Sequence, residues 1–398
     1  MTKVCVVGGG TAGLQAAAEA SRLGSEVTVV EKEQAPELPW RDLPDLIRPL
    51  PGSPRPPPMP ALPASVRVLT SEARSCEPGL VVSSHGDVRC DSLVLATGSS
   101  FGAPTFRGSR KPGVYLLDSQ RSYQDLGREH GSLVRIVIAG EGVRSLEVAE
   151  RLTGGGRNIR VVVSHWQAGP PSHLVFCHIS EAAKERNVSI TSGRLTDAVG
   201  TGRVEAAVIE GEVSSCDSIV FVPRRLPRVP VTEARLGRTG AVLVRRSLAA
   251  SVPGTLAAGG CAEVEGVEPP STLAGEPSSS GRIAGANCLG AGVSLGSVSS
   301  TEVLLFGLRW IRLKARWRVQ PRSDRTAIGR NGEKTACEIV FDRKSGMVAG
   351  MEFVGEIGSR VMGEVPSTID LNLRALAYGG TGSSDISLIS ETARLGLG

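Results

Sequence analysis

The chain has 398 residues, a formal net charge of +5, 40% hydrophobic residues and only 4% aromatic ones. That length predicts two or three domains with real cores, and so modest a charge gives no reason to expect a nucleic-acid partner. Glycine, at 49 residues, suits α/β turns better than a β-sandwich, and the apolar stretches are strand-sized, which predicts no transmembrane segment. Met1-Thr2-Lys3 leads straight into an apolar run rather than a signal peptide, so the expected location is cytoplasmic.

Lys3 to Val7 reads as a buried strand and Ala12 to Leu23 as an alanine-rich helix. Gly8, Gly10 and Gly13 between them spell G-x-G-x-x-G. In that pattern the first glycine permits the tight turn, the second lets a pyrophosphate approach the backbone, and the third lets helix and strand pack closely. Thr11 and Ala12 open the helix, whose unpaired N–H groups and positive dipole end face the phosphates. A second strand, Glu26 to Val30, ends at Glu31, placed to accept from ribose hydroxyls, with Lys32 beside it. The bland alternative is a tight α/β turn with no ligand.

The proline-dense stretch Pro49 to Pro63 predicts an extended loop. Short strands follow at Val66 to Thr70, Gly79 to Ser83 and Val88 to Cys90, then Asp91 to Gly98 with its small-residue turn Ala96-Thr97-Gly98. Val114 to Leu117 opens a segment that holds a second glycine turn. There Arg135 to Ala139 is an apolar strand, Gly140 and Gly142 keep two glycines, Val143 and Arg144 start a helix to Leu152, and Ser145 replaces the third glycine. The next strand, Ile159 to Val163, ends in Ser164-His165 with no acid. An acid would favour NAD and an arginine NADP, so NADH and NADPH both stay open, as does an empty Rossmann-like domain.

Asp217 to Pro223 closes that segment. Val242 to Val244, Thr255 to Gly260 and a helix from Ser278 to Leu289 then read as the remainder of the first domain, so the two nucleotide domains are nested. The expected class is α/β. Residues 1–112 and 240–300 form one dinucleotide domain, 113–239 the second, and 301–398 an α+β C-terminal domain. In the last, Ile311 to Val319 alternates apolar with basic residues, including Arg312, Lys314, Arg316 and Arg318. That face predicts an acidic partner, a phosphate-bearing substrate or lipid headgroups, or else a charged edge strand that resists aggregation. Eight cysteines are scattered without C-x-x-C spacing, and the five histidines offer no metal-ligand pattern. Cys261 reads as a small buried residue, with a redox thiol as the alternative.

Together these landmarks resemble the FAD-dependent pyridine nucleotide-disulfide oxidoreductases, and among them the coenzyme A-disulfide reductase and NADH oxidase branch. The landmarks are Gly8 to Gly13 with Glu31, Ala96-Thr97-Gly98, Gly140-Glu141-Gly142, Thr255 to Glu263 with Gly259 and Gly260, and Gly281 to Asn287. The resemblance covers nearly the whole chain. It implies FAD at the first turn, NADH or NADPH at the second, and a homodimer through 301–398. Hydride would pass from nicotinamide to flavin, and electrons then to a small-molecule or small redox-protein acceptor.

Two departures sharpen this. Where the branch carries its redox cysteine, before Leu38-Pro39-Trp40, this chain has Pro36-Glu37, and no cysteine lies between Cys5 and Cys76. A proline cannot attack a disulfide, so the expected enzyme works without a redox cysteine. Trp40 and Arg41, beyond Glu31, could shield a flavin or attract an anion, or simply pack. Gly260 stands where the family has an aspartate, removing hydrogen bonds worth on the order of 1–3 kcal/mol. The other readings are a non-catalytic flavoprotein or scaffold, and a coenzyme A-disulfide reductase with a displaced thiol.

Overall fold

β-branched runs bounded by glycine start the fold. Lys3–Val7 is a strand with Glu26–Glu31 parallel on one side and Ser92–Leu95 parallel on the other. Strands covered on both faces need near-continuous apolar runs. Val4 to Val7, Val27, Val29, Val30 and Leu93 to Leu95 supply them, all buried. The computed structural model describes residues 1–33, 42–51, 61–166, 169–267, 270–296, 298–316, 325–331, 335–342, 345, 347–355, 389 and 392–395. Trp40 and Arg41, and most of the proline-dense stretch, lie outside them. Helices in chain order are α1 (Thr11–Arg22), α2 (Gln120–Glu129), α3 (Gly142–Leu152), α4 (His173–Lys184) and α5 (Pro277–Asn287).

The first of two units comprises residues 1–42, 55–102 and 225–296. Its parallel sheet runs Thr255–Ala257, Ser92–Leu95, Lys3–Val7, Glu26–Glu31, Arg67–Thr70. α1 is the crossover from the first strand to the second. α5 packs backbone-close on α1: a Cβ at Gly281 would lie 2.2 Å from the Ala12 carbonyl oxygen, and one at Gly285 2.4 Å from that of Ala16. A smaller mixed sheet joins Val231–Thr232, parallel to Ala73–Glu77, with the antiparallel strands Leu80–Ser83 and Val88–Arg89.

The second unit comprises 43–54, 103–224 and 297–398. It repeats the doubly wound plan, with the parallel order Val188–Ser192, Asn158–His165, Arg135–Glu141, Ser218–Val222, Val114–Leu116. One nucleotide-type domain is thus inserted in the other, as expected. The boundaries differ from the expected 112/113 and 239/240. Ser99–Phe101 pairs with Arg225–Pro227, and Val231–Thr232 with Ala73–Glu77, which draws 225–239 into the first unit. Phe106 packs among Val162, Leu195 and Ala198, which draws the segment after 102 into the second.

Residues 298–355 of the second unit build an antiparallel sheet in the order Val298–Leu305, Leu308–Ala315, Val348–Gly355, Ala336–Asp342, Arg325–Asn331. The basic strand is therefore interior, not the charged edge expected from its pattern. Its acids come from its neighbours: Arg312 faces Glu352 across the ladder and pairs with it at 2.8 Å, and Arg309 pairs with Glu302. Ile311 and Leu313, on the opposite face, are buried with Phe341, Phe353 and Ile389. Such pairing inside a sheet supports the structural reading of the stripe.

The C-terminal end of α3 ties this sheet to the inserted domain. Arg48 donates to the carbonyls of Glu150 (2.9 Å) and Thr153 (3.2 Å), neutralising the negative helix end. The buried Glu150 carboxylate pairs with Arg186 at 2.8 Å and accepts from the Phe306 N–H. Phe306 and Gly307 both have positive φ, 53° and 81°, and turn the hairpin between Leu305 and Leu308. Two positive φ values suit a right-twisted two-residue hairpin, and the Glu150 contact holds the non-glycine one.

Candidate functional site

At the first turn each glycine has a separate physical reason. Gly8 has φ +109°, and a Cβ there would stand 2.4 Å from the Ala96 carbonyl oxygen. A Cβ on Gly13 would stand 1.8 Å from the Gly8 carbonyl oxygen, so helix and strand close only around glycine. Among the described residues nothing lies within 4 Å of where a Cβ at Gly10 would be, and Gly10 starts α1 with no side-chain cap. An open, uncapped helix start followed by Thr11 and Ala12 has the form of an anion cradle.

The Glu31 carboxylate accepts from the Gly9 N–H and, at 3.1 Å, from the Glu33 N–H. A carboxylate has about four acceptor positions, so two remain for ribose hydroxyls. Glu31 lines a cleft of about 110 Å³ with Gly8, Val30, Lys32, Thr97 and Arg228. Lys32 pairs with Glu33 at 2.7 Å. Thr97 donates to the Arg228 carbonyl and the Arg228 N–H donates to the Gly98 carbonyl at 3.0 Å, so residues 228–230 form a wall that the sequence reading did not include. Gly98 has φ +70°.

Gly259, also at φ +70°, donates to Ser280 Oγ at 3.1 Å and sits against Ala12, whose Cβ a side chain at 259 would meet at 2.9 Å. A Cβ at Gly260 would lie 3.0 Å from Ser99 Oγ and 3.2 Å from the Gly98 carbonyl carbon. Arg225 holds that Ser99 hydroxyl at 2.8 Å, so a side chain at 260 would stand close against it. Within the first unit, then, Gly8, Gly10, Thr11, Ala12, Gly13, Glu31, Lys32, Ala96, Thr97, Gly98, Gly259 and Gly260 come together around α1 and the strand ends. These residues fit a dinucleotide such as FAD. Glu263, the last landmark of its motif, is structural: its buried carboxylate accepts from the N–H groups of Arg238 (3.1 Å) and Thr239 (2.7 Å) and from Thr239 Oγ1 (2.6 Å).

The second turn is built differently. Gly140, at φ +141°, lies against Val222, whose carbonyl oxygen a Cβ would meet at 1.9 Å. Glu141 caps α3: its carboxylate accepts from the N–H groups of Val143 (3.4 Å) and Arg144 (2.8 Å). Arg144 itself is buried and pairs with Glu147 at 3.2 Å. The indole of Trp166 lies on Gly142, with ring atoms 2.3 to 2.7 Å from where a Cβ would be. Ser164 donates to the Gly140 carbonyl at 3.1 Å, within a bulge that shifts the register between Gly140 and Glu141. Gly140, Gly142, Val143 and Arg144 are thus together at the start of α3, but a dinucleotide does not fit them as they stand. The sequence signal that could have shown this is the acidic side chain in Gly140-Glu141-Gly142, a helix-capping residue at the phosphate position.

His165 lies beside this turn. Its Nε2 is buried without a hydrogen-bond partner among the described residues, and burial, then the Arg224 charge, hold its pKa below the usual 6.5. The unfolded chain therefore binds the proton first. Stability should be whole above pH 6.5 and fall as pH drops toward the lower folded value. Urea midpoints across pH 8 to 5.5 should show this slope, and it should be shallower in His165→Gln.

The thiols speak against a displaced redox cysteine. Cys261 is fully buried, donates to the Leu95 carbonyl at 3.2 Å, and has its pKa pushed up by burial. Burial likewise pushes Cys76, Cys288 and Cys337 up to about 12 and Cys216 to about 11. Cys5 and Cys90 are hydrogen-bonded to each other, which raises Cys5 and lowers Cys90, and both are buried. Only Cys177 is not buried. Iodoacetamide should label Cys177 first in the native protein and all eight cysteines after denaturation. Fast labelling of Cys261 would revive the thiol reading.

Two nested dinucleotide-type domains and a C-terminal sheet define the fold of a flavin- and nicotinamide-dependent oxidoreductase. The description of the pyridine nucleotide-disulphide oxidoreductases matches residues 2–278, and the chain belongs to that family of oxidoreductases, whose members bind FAD and NAD(P)H. It is 28% identical over 235 residues to a bilirubin reductase of Mediterraneibacter gnavus, across 57% of this chain and 34% of that protein. It is 26% identical over 333 residues to an NAD(P)H coenzyme A polysulfide/persulfide reductase of Pyrococcus horikoshii, across 76% of this chain and 73% of that one. The match thus spans about a third of the first relative's length. The solved NAD-dependent persulfide reductase of A. fulgidus superposes with a TM-score of 0.82 at 18% identity, over 99% of this chain and 83% of that one, a likeness of fold. Among the described residues no helix is long and apolar enough to cross a membrane.

Proposed function

We propose that the chain is an FAD-dependent NAD(P)H oxidoreductase that passes electrons to its acceptor without a redox-active cysteine. The observation that carries this reading is the open first turn, with Gly10 clear and Glu31 beside the cleft, in a unit whose thiols are all buried. Gly8, Gly10, Thr11, Ala12 and Gly13 would hold the pyrophosphate, and Glu31 with Lys32 the adenosine end. Ala96, Thr97, Gly98, Gly259 and Gly260 would bound the rest. When bound, FAD supplies reversible one- and two-electron chemistry. The chain's part is to seat and orient it. The two relatives' names point to different acceptors, so the acceptor class follows from the missing thiol: a small molecule or small redox protein that meets the flavin directly. Homodimerisation through 301–398 and a cytoplasmic, reducing compartment complete the proposal, the latter supported by eight free cysteines.

Anaerobic mixing tests it. The purified protein should be yellow, and NADH or NADPH should bleach it with every accessible thiol alkylated. A colourless protein that takes up no FAD, or bleaching abolished by alkylation, would overturn it. The second turn favours one other reading, a flavoprotein of the same fold without turnover. That reading expects a yellow protein which neither nucleotide bleaches.

A further inference from the structure

Both glycine turns begin with a parallel strand and end in a helix, yet their helix starts are in opposite states. At Gly10 the approach is open and uncapped among the described residues. At the second turn two side chains of the chain occupy the same ground. The Glu141 carboxylate, itself buried, takes the Val143 and Arg144 N–H groups, the donors a pyrophosphate would need. The Trp166 indole covers Gly142, the glycine whose bare Cα would admit the phosphate.

Neither group is loosely placed. Trp166 stands edge-on to Phe176 of α4, ring centroids 6.4 Å apart, and its carbonyl accepts from the Gly169 N–H at 3.2 Å. The bulge at Ser164, bonded to the Gly140 carbonyl, sets the path of the chain into Trp166. A phosphate arriving here would meet a carboxylate of like charge and an aromatic face rather than N–H groups.

We propose that Glu141 and Trp166 are a built-in plug of the second nucleotide cradle, an internal anion and a lid, and that they set how weakly the chain holds a nicotinamide dinucleotide. A pyrophosphate is seated there only when the carboxylate leaves the helix start and the indole leaves Gly142. Gly142 then has a role other than the one its motif implies: it makes room for an indole. This rests on the reading of the second domain as a nicotinamide site, and it limits that reading.

The test measures binding, not turnover. NADH and NADPH are titrated calorimetrically into the purified full chain, wild type and Glu141→Gly, Trp166→Ala and the double variant, with flavin content recorded for each. The double variant should bind at least one of the two nucleotides about 30-fold or more tighter than wild type, each single variant less so. Equal affinities across the four proteins would overturn the plug. Flavin content unchanged across the four keeps this outcome separate from failure at the first turn. A second measurement guards against misfolding. Gly142→Ala should lower the melting temperature in the wild-type background and have little effect beside Trp166→Ala. A Gly142→Ala protein of unchanged melting temperature would overturn the lid.

Discussion

Gly10→Asp should weaken flavin binding severely while leaving the apoprotein as stable as before, or slightly more so. Among the described residues nothing lies within 4 Å of a Cβ at Gly10, so an aspartate's Cβ enters without a clash. Its backbone, φ −74° and ψ −176°, is extended and open to any residue. Aspartate is among the best helix N-caps, better than glycine by a few tenths of a kcal/mol, and its charge suits the positive helix end. The same charge then stands where a pyrophosphate would. FAD affinity should fall on the order of 100-fold or more, about 2.7 kcal/mol. Denaturant midpoints of the apoprotein and FAD titration read the two halves separately. A variant that keeps its flavin would remove the first turn as the binding site.

Gly13→Ala, three residues on, should do the reverse and break the first unit itself. Its Cβ would be 1.8 Å from the Gly8 carbonyl oxygen and 2.9 Å from the carbonyl carbon. Gly8 cannot retreat: its N–H donates to Val30 at 2.9 Å, and the Ala96 backbone stands against its other side. Overpacking typically costs about 1–3 kcal/mol, and more where the neighbour is fixed backbone, a large part of the roughly 5–15 kcal/mol that ordinarily holds a domain. The urea midpoint of the apoprotein should fall sharply, and flavin should be lost only as a consequence. An unchanged midpoint would show that helix and strand are not as close as described.

The contrast explains what was legible in the chain. Glycine roles at the first turn depend on backbone alone, and backbone is what strand–glycine–helix spacing encodes. Gly8, Gly13 and the open Gly10 could therefore be assigned from the residues. The second turn was legible only in part: Glu141 stands in the motif itself, but the cover over Gly142 depends on where one indole lands after a bulge, and Trp166 lies 24 positions from Gly142. The basic stripe failed for a related reason. Arg312 through Arg316 read as a charged strand, but Glu302 and Glu352 that balance it belong to neighbouring strands, and no local pattern reveals a ladder partner. Ala73–Glu77 escaped notice since a strand of Arg74, Ser75 and Glu77 carries almost no apolar alternation; pairing with Leu80–Ser83 makes it one.

The hairpin seated on Glu150 bears on how the chain comes apart. Removing Phe306 would leave a buried carboxylate with one donor fewer and the Arg186 pair opened to water, so residues 103–224 depend on a strand pair from 298–315 for their own integrity. In folding terms the inserted domain and the C-terminal sheet should then behave as one cooperative block and melt in a single calorimetric transition. A chain ended at 296 would not yield an intact second nucleotide domain.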